Sequence, residues 1–199
     1  MSRVKICGIT NLTDALDAIE AGADALGFVF YEKSPRYISP EHAREIVRQL
    51  PPFVERVGLF VNESAEDIDM ICQRAGMSLA QIHFDAPQSL YDALEIKHLK
   101  VVRAQTPQDL QRFDDEYRIV DAFVESYGGE GKRIDPAWFE GVDCSRIILA
   151  GGLNAQNVMQ MRRFGFFGFD VSSGVEQKKG KKDKIEMQNF IKAVRNGKI

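Results

Sequence analysis

The chain has 199 residues, 44% of them hydrophobic and 28% charged, with a formal net charge of -3. This composition excludes a disordered chain, and the acidic balance gives no electrostatic case for a nucleic-acid partner. No apolar run approaches the ~20 residues that span a bilayer, and the first strand follows Met1-Ser2-Arg3 too soon for a signal peptide, so the expected location is cytoplasmic, with no membrane partner.

The first strand ends in Lys5-Ile6-Cys7-Gly8-Ile9-Thr10, which delivers a thiol, a glycine and a polar residue to a loop. Leu12, Ala15, Leu16 and Ile19 then fall at helical spacing, with Asn11 or Thr13 as cap and Gly22 as stop. Residues 25–30 are almost continuously apolar, as a parallel strand covered on both faces should be. A polar loop over 31–39 leads through Pro40 into a helix over 41–50. A third strand over 54–61 precedes a helix over 65–75 that stops at Gly76, and a fourth over 79–83 precedes a weaker helix over 88–95.

The fifth strand covers 99–103, and Thr106 and Pro107 mark a helix start as cap and first position. The sixth strand, 117–122, is followed by the glycine-rich loop Ser126-Tyr127-Gly128-Gly129-Glu130-Gly131-Lys132, long enough to suggest a lid. A short helix is expected over 136–139. Strand seven (146–150), a helix over 154–163, strand eight (167–171) and a final helix over 184–194 complete the chain. Eight strands alternating with eight helical segments, about 25 residues per unit, predict a single (β/α)₈ TIM barrel occupying residues 1–199. Its active site would gather the carboxyl ends of the strands.

Two stretches suit a phosphate. Gly151-Gly152-Leu153-Asn154 follows strand seven and Ser172-Ser173-Gly174 follows strand eight, the positions where such barrels often bind one. Backbone N–H groups, hydroxyls and a helix amino end would serve an oxyanion, whereas the alternative is that these glycines only shape turns. Cys7 is either a packing residue or a base whose thiolate a nearby positive charge favours. Asp121, at the end of strand six, faces the same mouth and could supply a proton; otherwise it is a loop carboxylate. Arg36 could grip a carboxylate with two prongs or be a surface arginine. His83 could be a ring donor, a catalytic acid or a structural histidine. The lysines at 178, 179, 181, 182 and 184 lack aromatic interleaving and read as a solvated loop that raises the potential near the phosphate. Cys72 reads as core filler, Cys144 carries no signal, and the scattered cysteines lack the spacing of a metal site.

Taken together, Lys5-Ile6-Cys7-Gly8, Ser34-Pro35-Arg36, Val57-Gly58-Leu59-Phe60-Val61-Asn62, Gln81-Ile82-His83, Asp121, Gly128-Gly129-Glu130-Gly131-Lys132, Gly151-Gly152-Leu153 and Asp170-Val171-Ser172-Ser173-Gly174-Val175-Glu176 stand in one family's order. The chain resembles the phosphoribosylanthranilate isomerases of tryptophan biosynthesis over essentially its whole length. The resemblance implies an Amadori rearrangement of N-(5'-phosphoribosyl)anthranilate, with Asp121 as general acid on the ring oxygen and Cys7 as general base on the adjacent sugar carbon. It further implies that Arg36 holds the anthranilate carboxylate and that Gly151, Gly152, Ser172, Ser173 and Gly174 hold the phosphate. His83, Gly128, Gly129 and Asp170 join the substrate-binding set, and no cofactor or metal is required, since the imine is the electron sink. Phe84 and Ile134 depart from the family pattern and bear on pocket shape and lid packing.

Two other readings stay open on the sequence. A histidine-pathway isomerase would share the barrel and phosphate site but would use two carboxylates, whereas strand one here ends in Cys7. A phosphate-ligand sensor without catalysis would not need Cys7 and Asp121 together. The sequence does not separate a monomer from a homodimer.

Overall fold

The computed structural model describes residues 1–123 and 133–196. Eight strands, β1 (Arg3–Cys7), β2 (Ala25–Val29), β3 (Glu55–Phe60), β4 (Leu79–Ile82), β5 (His98–Ala104), β6 (Arg118–Ala122), β7 (Ile147–Leu149) and β8 (Gly168–Val171), form a closed barrel in sequence order. Every neighbouring pair is parallel, and closure comes from β1, where Ile6 is registered with Leu26 on one side and Val171 on the other.

Side chains alternate across a strand, so each strand here serves two environments. Ile6, Leu26, Phe28, Phe60, Ile82, Val120 and Phe169 belong to the large cluster under the helices. Val57, Leu79, Leu99, Val101, Ile119 and Ala150 make a smaller cluster within the barrel. Two-residue periodicity places Lys5 with Cys7, Gln81 with His83, and Ile119 with Asp121 on shared faces. The barrel interior thus becomes polar towards its carboxyl end.

Caps set most of the helix starts. Asn11, Ser39 and Ser64 each accept a backbone N–H from the first turn of α1 (Leu12–Ala21), α2 (Pro40–Val47) and α3 (Ala65–Ala75), and Gly22 and Gly76 close α1 and α3 in left-handed conformations. α4 (Gln88–Ala93) is two residues shorter than its predicted span. Among the described residues the connections after β5 and β6 hold 3₁₀ turns at Pro107–Gln111 and Pro136–Phe139, the second over the span expected for a short helix. The cap at Thr106 is real, since the Asp109 carboxylate accepts the N–H groups of Gln105 and Thr106 at 2.9 Å. Leu110 is that turn's buried residue, too little apolar surface to hold a longer helix on the barrel.

The helix expected from residue 154 begins only at α5 (Val158–Met161), followed by a 3₁₀ turn at Arg162–Phe164. Asn154 Oδ1 accepts the N–H groups of Gln156 and Asn157, while Asn157 Oδ1 accepts that of Asn154, so side chains satisfy the groups that a helical first turn would use. A hairpin not foreseen from the sequence, β9 (Glu176–Lys178) and β10 (Lys181–Lys182), follows β8 and leads to α6 (Lys184–Asn196). Buried Asp14 of α1 clamps this hairpin by pairing with Lys181 and accepting the Lys182 N–H at 2.7 Å. Among the described residues no helix is long and apolar enough to cross a membrane.

Candidate active site

One cleft at the carboxyl end of the barrel is lined by Cys7, Arg36, His83, Asp121, Asp170 and the loops at Gly151-Gly152 and Ser172-Ser173. Strand topology therefore assembles most of the sequence-predicted set in one place. Gly128 and Gly129 lie outside the described residues.

A hydrogen-bonded chain runs across this mouth from β1 to the end of β4 and faces β6. Lys5 Nζ donates to Gln81 Oε1 at 2.8 Å, which orients the amide so that Gln81 Nε2 donates to His83 Nδ1 at 3.2 Å. The ring hydrogen then sits on Nε2, facing Asp121 Oδ2 at 3.7 Å. Burial, reinforced by Arg103 and Lys5, drives the His83 pKa down to about 3. His83 is accordingly a neutral hydrogen-bonding ring, which removes the catalytic-acid reading.

Asp121 moves the opposite way. Burial and then Asp170 raise its pKa to about 7, against the Ala122 N–H, Arg103 and Lys5. A carboxyl group poised there can give up a proton at neutral pH. Gly151 makes room for it: a side chain at this left-handed position (φ +92°) would put its Cβ 2.6 Å from Asp121 Oδ1.

Cys7 is buried beside Lys5, whose Nζ also donates to Asp170 Oδ2 at 2.8 Å. Burial pushes the thiol pKa up; Lys5 and Lys182 pull it down and Asp170 pushes it up, and the net shift is upward. The positive charge anticipated near Cys7 is present, but desolvation outweighs it. Among the described residues the other oxygen of Asp170, Oδ1, is buried with no hydrogen-bond partner. In this cleft it is an acceptor awaiting a donor.

Arg36 is not a surface arginine. Its Nε and Nη2 donate to Glu176 Oε1 and Oε2 at 2.8 and 2.7 Å, and both side chains are buried. Lys182 Nζ donates to the same Glu176 at 2.9 Å and to the Ser172 carbonyl at 3.2 Å, with no exposed side-chain surface. This corrects the solvated-loop reading at Lys181 and Lys182, which are structural, while Lys178 and Lys179 are exposed and Lys184 pairs with Asp17 and Glu20.

The two candidate phosphate loops touch. A Cβ at Gly174 would lie 1.8 Å from the Leu153 carbonyl oxygen, so only glycine permits the approach. Because α5 is short and starts late, backbone N–H groups and hydroxyls of these loops, rather than a long helix dipole, are what they offer an anion. Ile134 packs beside them with Leu149, Gly151 and Leu153, whereas Phe84 is buried in the main core.

A family model for N-(5'phosphoribosyl)anthranilate (PRA) isomerase matches residues 4–193. The chain belongs to that family. N-(5'-phosphoribosyl)anthranilate isomerase of Sulfurovum sp. (strain NBC37-1) is 62% identical over 190 residues, covering 96% of this chain and 97% of the relative. The crystal structure of phosphoribosyl anthranilate isomerase from Thermotoga maritima superposes with a TM-score of 0.91 at 43% identity, covering 98% of this chain and 99% of that one. A second phosphoribosyl anthranilate isomerase structure, in complex with reduced 1-(o-carboxyphenylamino)-1-deoxyribulose 5-phosphate, has a TM-score of 0.86 at 40% identity, with 98% and 99% coverage. Membership in this isomerase family decides against the histidine-pathway and sensor alternatives.

Four groups in the site were given no role from sequence: Lys5, Gln81, Glu176 and Lys182. A lysine and a glutamine inside otherwise apolar strands, each two residues before a candidate, were the available signal for Lys5 and Gln81. Nothing in the lysine run marked Lys182 as the buried one.

Proposed function

We propose that residues 1–199 act as one catalytic barrel that converts N-(5'-phosphoribosyl)anthranilate to 1-(2-carboxyphenylamino)-1-deoxyribulose 5-phosphate, with Asp121 as general acid and Cys7 as general base. The observation that carries this reading is a carboxyl group near pKa 7 and a thiol beside an ammonium, both lining one cleft with the two anion-binding loops.

Asp121 gives its proton to the ring oxygen as the bond from that oxygen to the anomeric carbon breaks, and the nitrogen lone pair forms the cationic imine. The thiolate form of Cys7 takes the proton from the neighbouring carbon. The electron pair released there forms a carbon–carbon double bond while the imine electrons return to nitrogen, giving the enol-amine. Each acid–base group typically contributes ~10²–10⁴-fold. The Nη1–Nη2 edge of Arg36, left over from its contact with Glu176, suits the anthranilate carboxylate. Unpartnered Asp170 Oδ1 suits a sugar hydroxyl or the amine N–H. The loops at Gly151-Gly152 and Ser172-Ser173-Gly174 suit the phosphate, and the relative's complex with a phosphorylated product analogue supports a phosphorylated ligand.

The test is turnover of N-(5'-phosphoribosyl)anthranilate by the purified chain and by its Cys7→Ser and Asp121→Asn variants. Activity in the parent and its loss in both variants is expected; near-native turnover by either variant would remove that residue from its role.

A further inference from the structure

Lys5 is an ammonium buried in the barrel mouth, and it can donate three hydrogen bonds. Two go to Asp170 Oδ2 and Gln81 Oε1, both at 2.8 Å, and these fix its position from β8 and β4. Cys7 stands two residues on along the same face of β1. Gly27 on β2, the registered partner of Cys7, marks the same spot from the other side: a Cβ there would meet Cys7 Sγ at 2.7 Å and Lys5 Cε at 3.1 Å.

From this arrangement we infer that Lys5 is a positioning residue that holds Cys7 ready for proton abstraction, its ammonium stabilising the thiolate while Asp170 opposes it. The inference rests on the reading of Cys7 as the base. The charged groups acting with Cys7 are Lys5 on β1, Asp170 on β8, Lys182 on β10 and Arg36 in the loop after β2. Lys182 and Arg36 are already matched by Glu176, which weakens their pull on the sulfur. Lys5 lies against the same point above Gly27 as the sulfur and exerts the largest charge effect on it, and so is the group best placed to set its charge.

The measurement is the rate at which iodoacetamide alkylates Cys7 at pH 8, resolved from Cys72 and Cys144 by peptide mass spectrometry. Lys5→Met alone would strand the Asp170 charge in the barrel and risk misfolding. The informative comparison is therefore Asp170→Asn against the double variant Lys5→Met/Asp170→Asn, in which no buried carboxylate is left alone. Asp170→Asn should alkylate several-fold faster than the parent, because a charge opposing the thiolate is gone. The double variant should alkylate at least tenfold slower than Asp170→Asn, with kcat falling in step and KM unchanged. Equal alkylation rates in these two variants would overturn the role of Lys5. An alkylation difference without any fall in kcat would leave Lys5 linked to Cys7 but would overturn Cys7 as the base.

Discussion

Nε2 of His83 stands 3.7 Å from Oδ2 of Asp121, and burial drives both groups towards their uncharged forms, to about 3 and about 7 respectively. The contact is a neutral ring facing a carboxyl that can keep its proton, not an imidazolium–carboxylate pair. Under the proposed mechanism the proton for ring opening resides on Asp121, with the His83 ring beside it.

This fixes the shape of the pH profile. The productive form has Asp121 protonated and Cys7 ionised, although Asp121 titrates near 7 and Cys7 above its ordinary value of 9.0. Below pH 7 the acid is fully protonated and activity rises with the thiolate fraction. Between the two pKa values the gain in thiolate and the loss of protonated acid cancel, and above the Cys7 pKa activity falls. A plateau in kcat/KM starting near pH 7 is therefore expected. Asp121→Asn should lose ~10²–10⁴-fold in rate, and its residual activity should keep rising past pH 7. A limb that ends near pH 4 in the parent would contradict the raised Asp121 pKa.

Stability should move against activity at the same residue. An acid whose folded pKa is raised binds its proton longer in the folded state, so its contribution falls as pH rises from about 4, the unfolded value, to about 7. Asp121→Asn removes that cost while keeping an oxygen for the Ala122 N–H. Urea unfolding should show the variant more stable by about 1–3 kcal/mol at pH 8 and unchanged near pH 4. Equal stabilities at pH 8 would mean that the carboxyl is not strained by burial.

Gly174→Ala should separate the two phosphate loops, since the added carbon would overlap the Leu153 carbonyl. Overpacking of this kind costs roughly 1–3 kcal/mol, and KM should rise at least tenfold. Gly141 gives the contrast: its φ is +78° but a Cβ there meets nothing within 4 Å. Gly141→Ala should cost about 1 kcal/mol and leave KM unchanged. Parallel thermal melts and steady-state kinetics would distinguish the two.

Glu176 gathers Arg36 and Lys182, so it would govern the proposed substrate-carboxylate contact of Arg36 at one remove. Arg36→Ala should raise KM at least tenfold with kcat within a few-fold. Glu176→Gln leaves two buried cations facing a neutral amide, and should raise KM while destabilising the fold by about 3–5 kcal/mol. An unchanged KM in Arg36→Ala would remove it from the substrate site.

Much of the barrel was legible because its strands are apolar runs stopped by glycine or polar turns and its helices carry local start and stop signals, as at Asn11, Pro40 and Gly76. The extent of the segment after β5 was not legible, because Thr106-Pro107 signals a start whatever follows, and only packing shows that Leu110 anchors no more than a turn. Cys7, Asp121, Arg36 and His83 lie at strand ends or in the loops after them, so topology alone brought them to one mouth. Their charge states were not legible, because beyond burial they depend on partners distant in sequence: Cys7 and Asp121 on Asp170, and His83 on Arg103 and Lys5. Long-range polar pairs leave no local periodicity to read.

The division of labour between Asp121 and Cys7 is tested most directly at the thiol. Turnover of N-(5'-phosphoribosyl)anthranilate by Cys7→Ser should be compared with its affinity for reduced 1-(o-carboxyphenylamino)-1-deoxyribulose 5-phosphate. A fall in kcat of at least ~10²-fold with Kd unchanged within a few-fold is expected for a base that acts only on the reacting carbon. A kcat within a few-fold of the parent would contradict it.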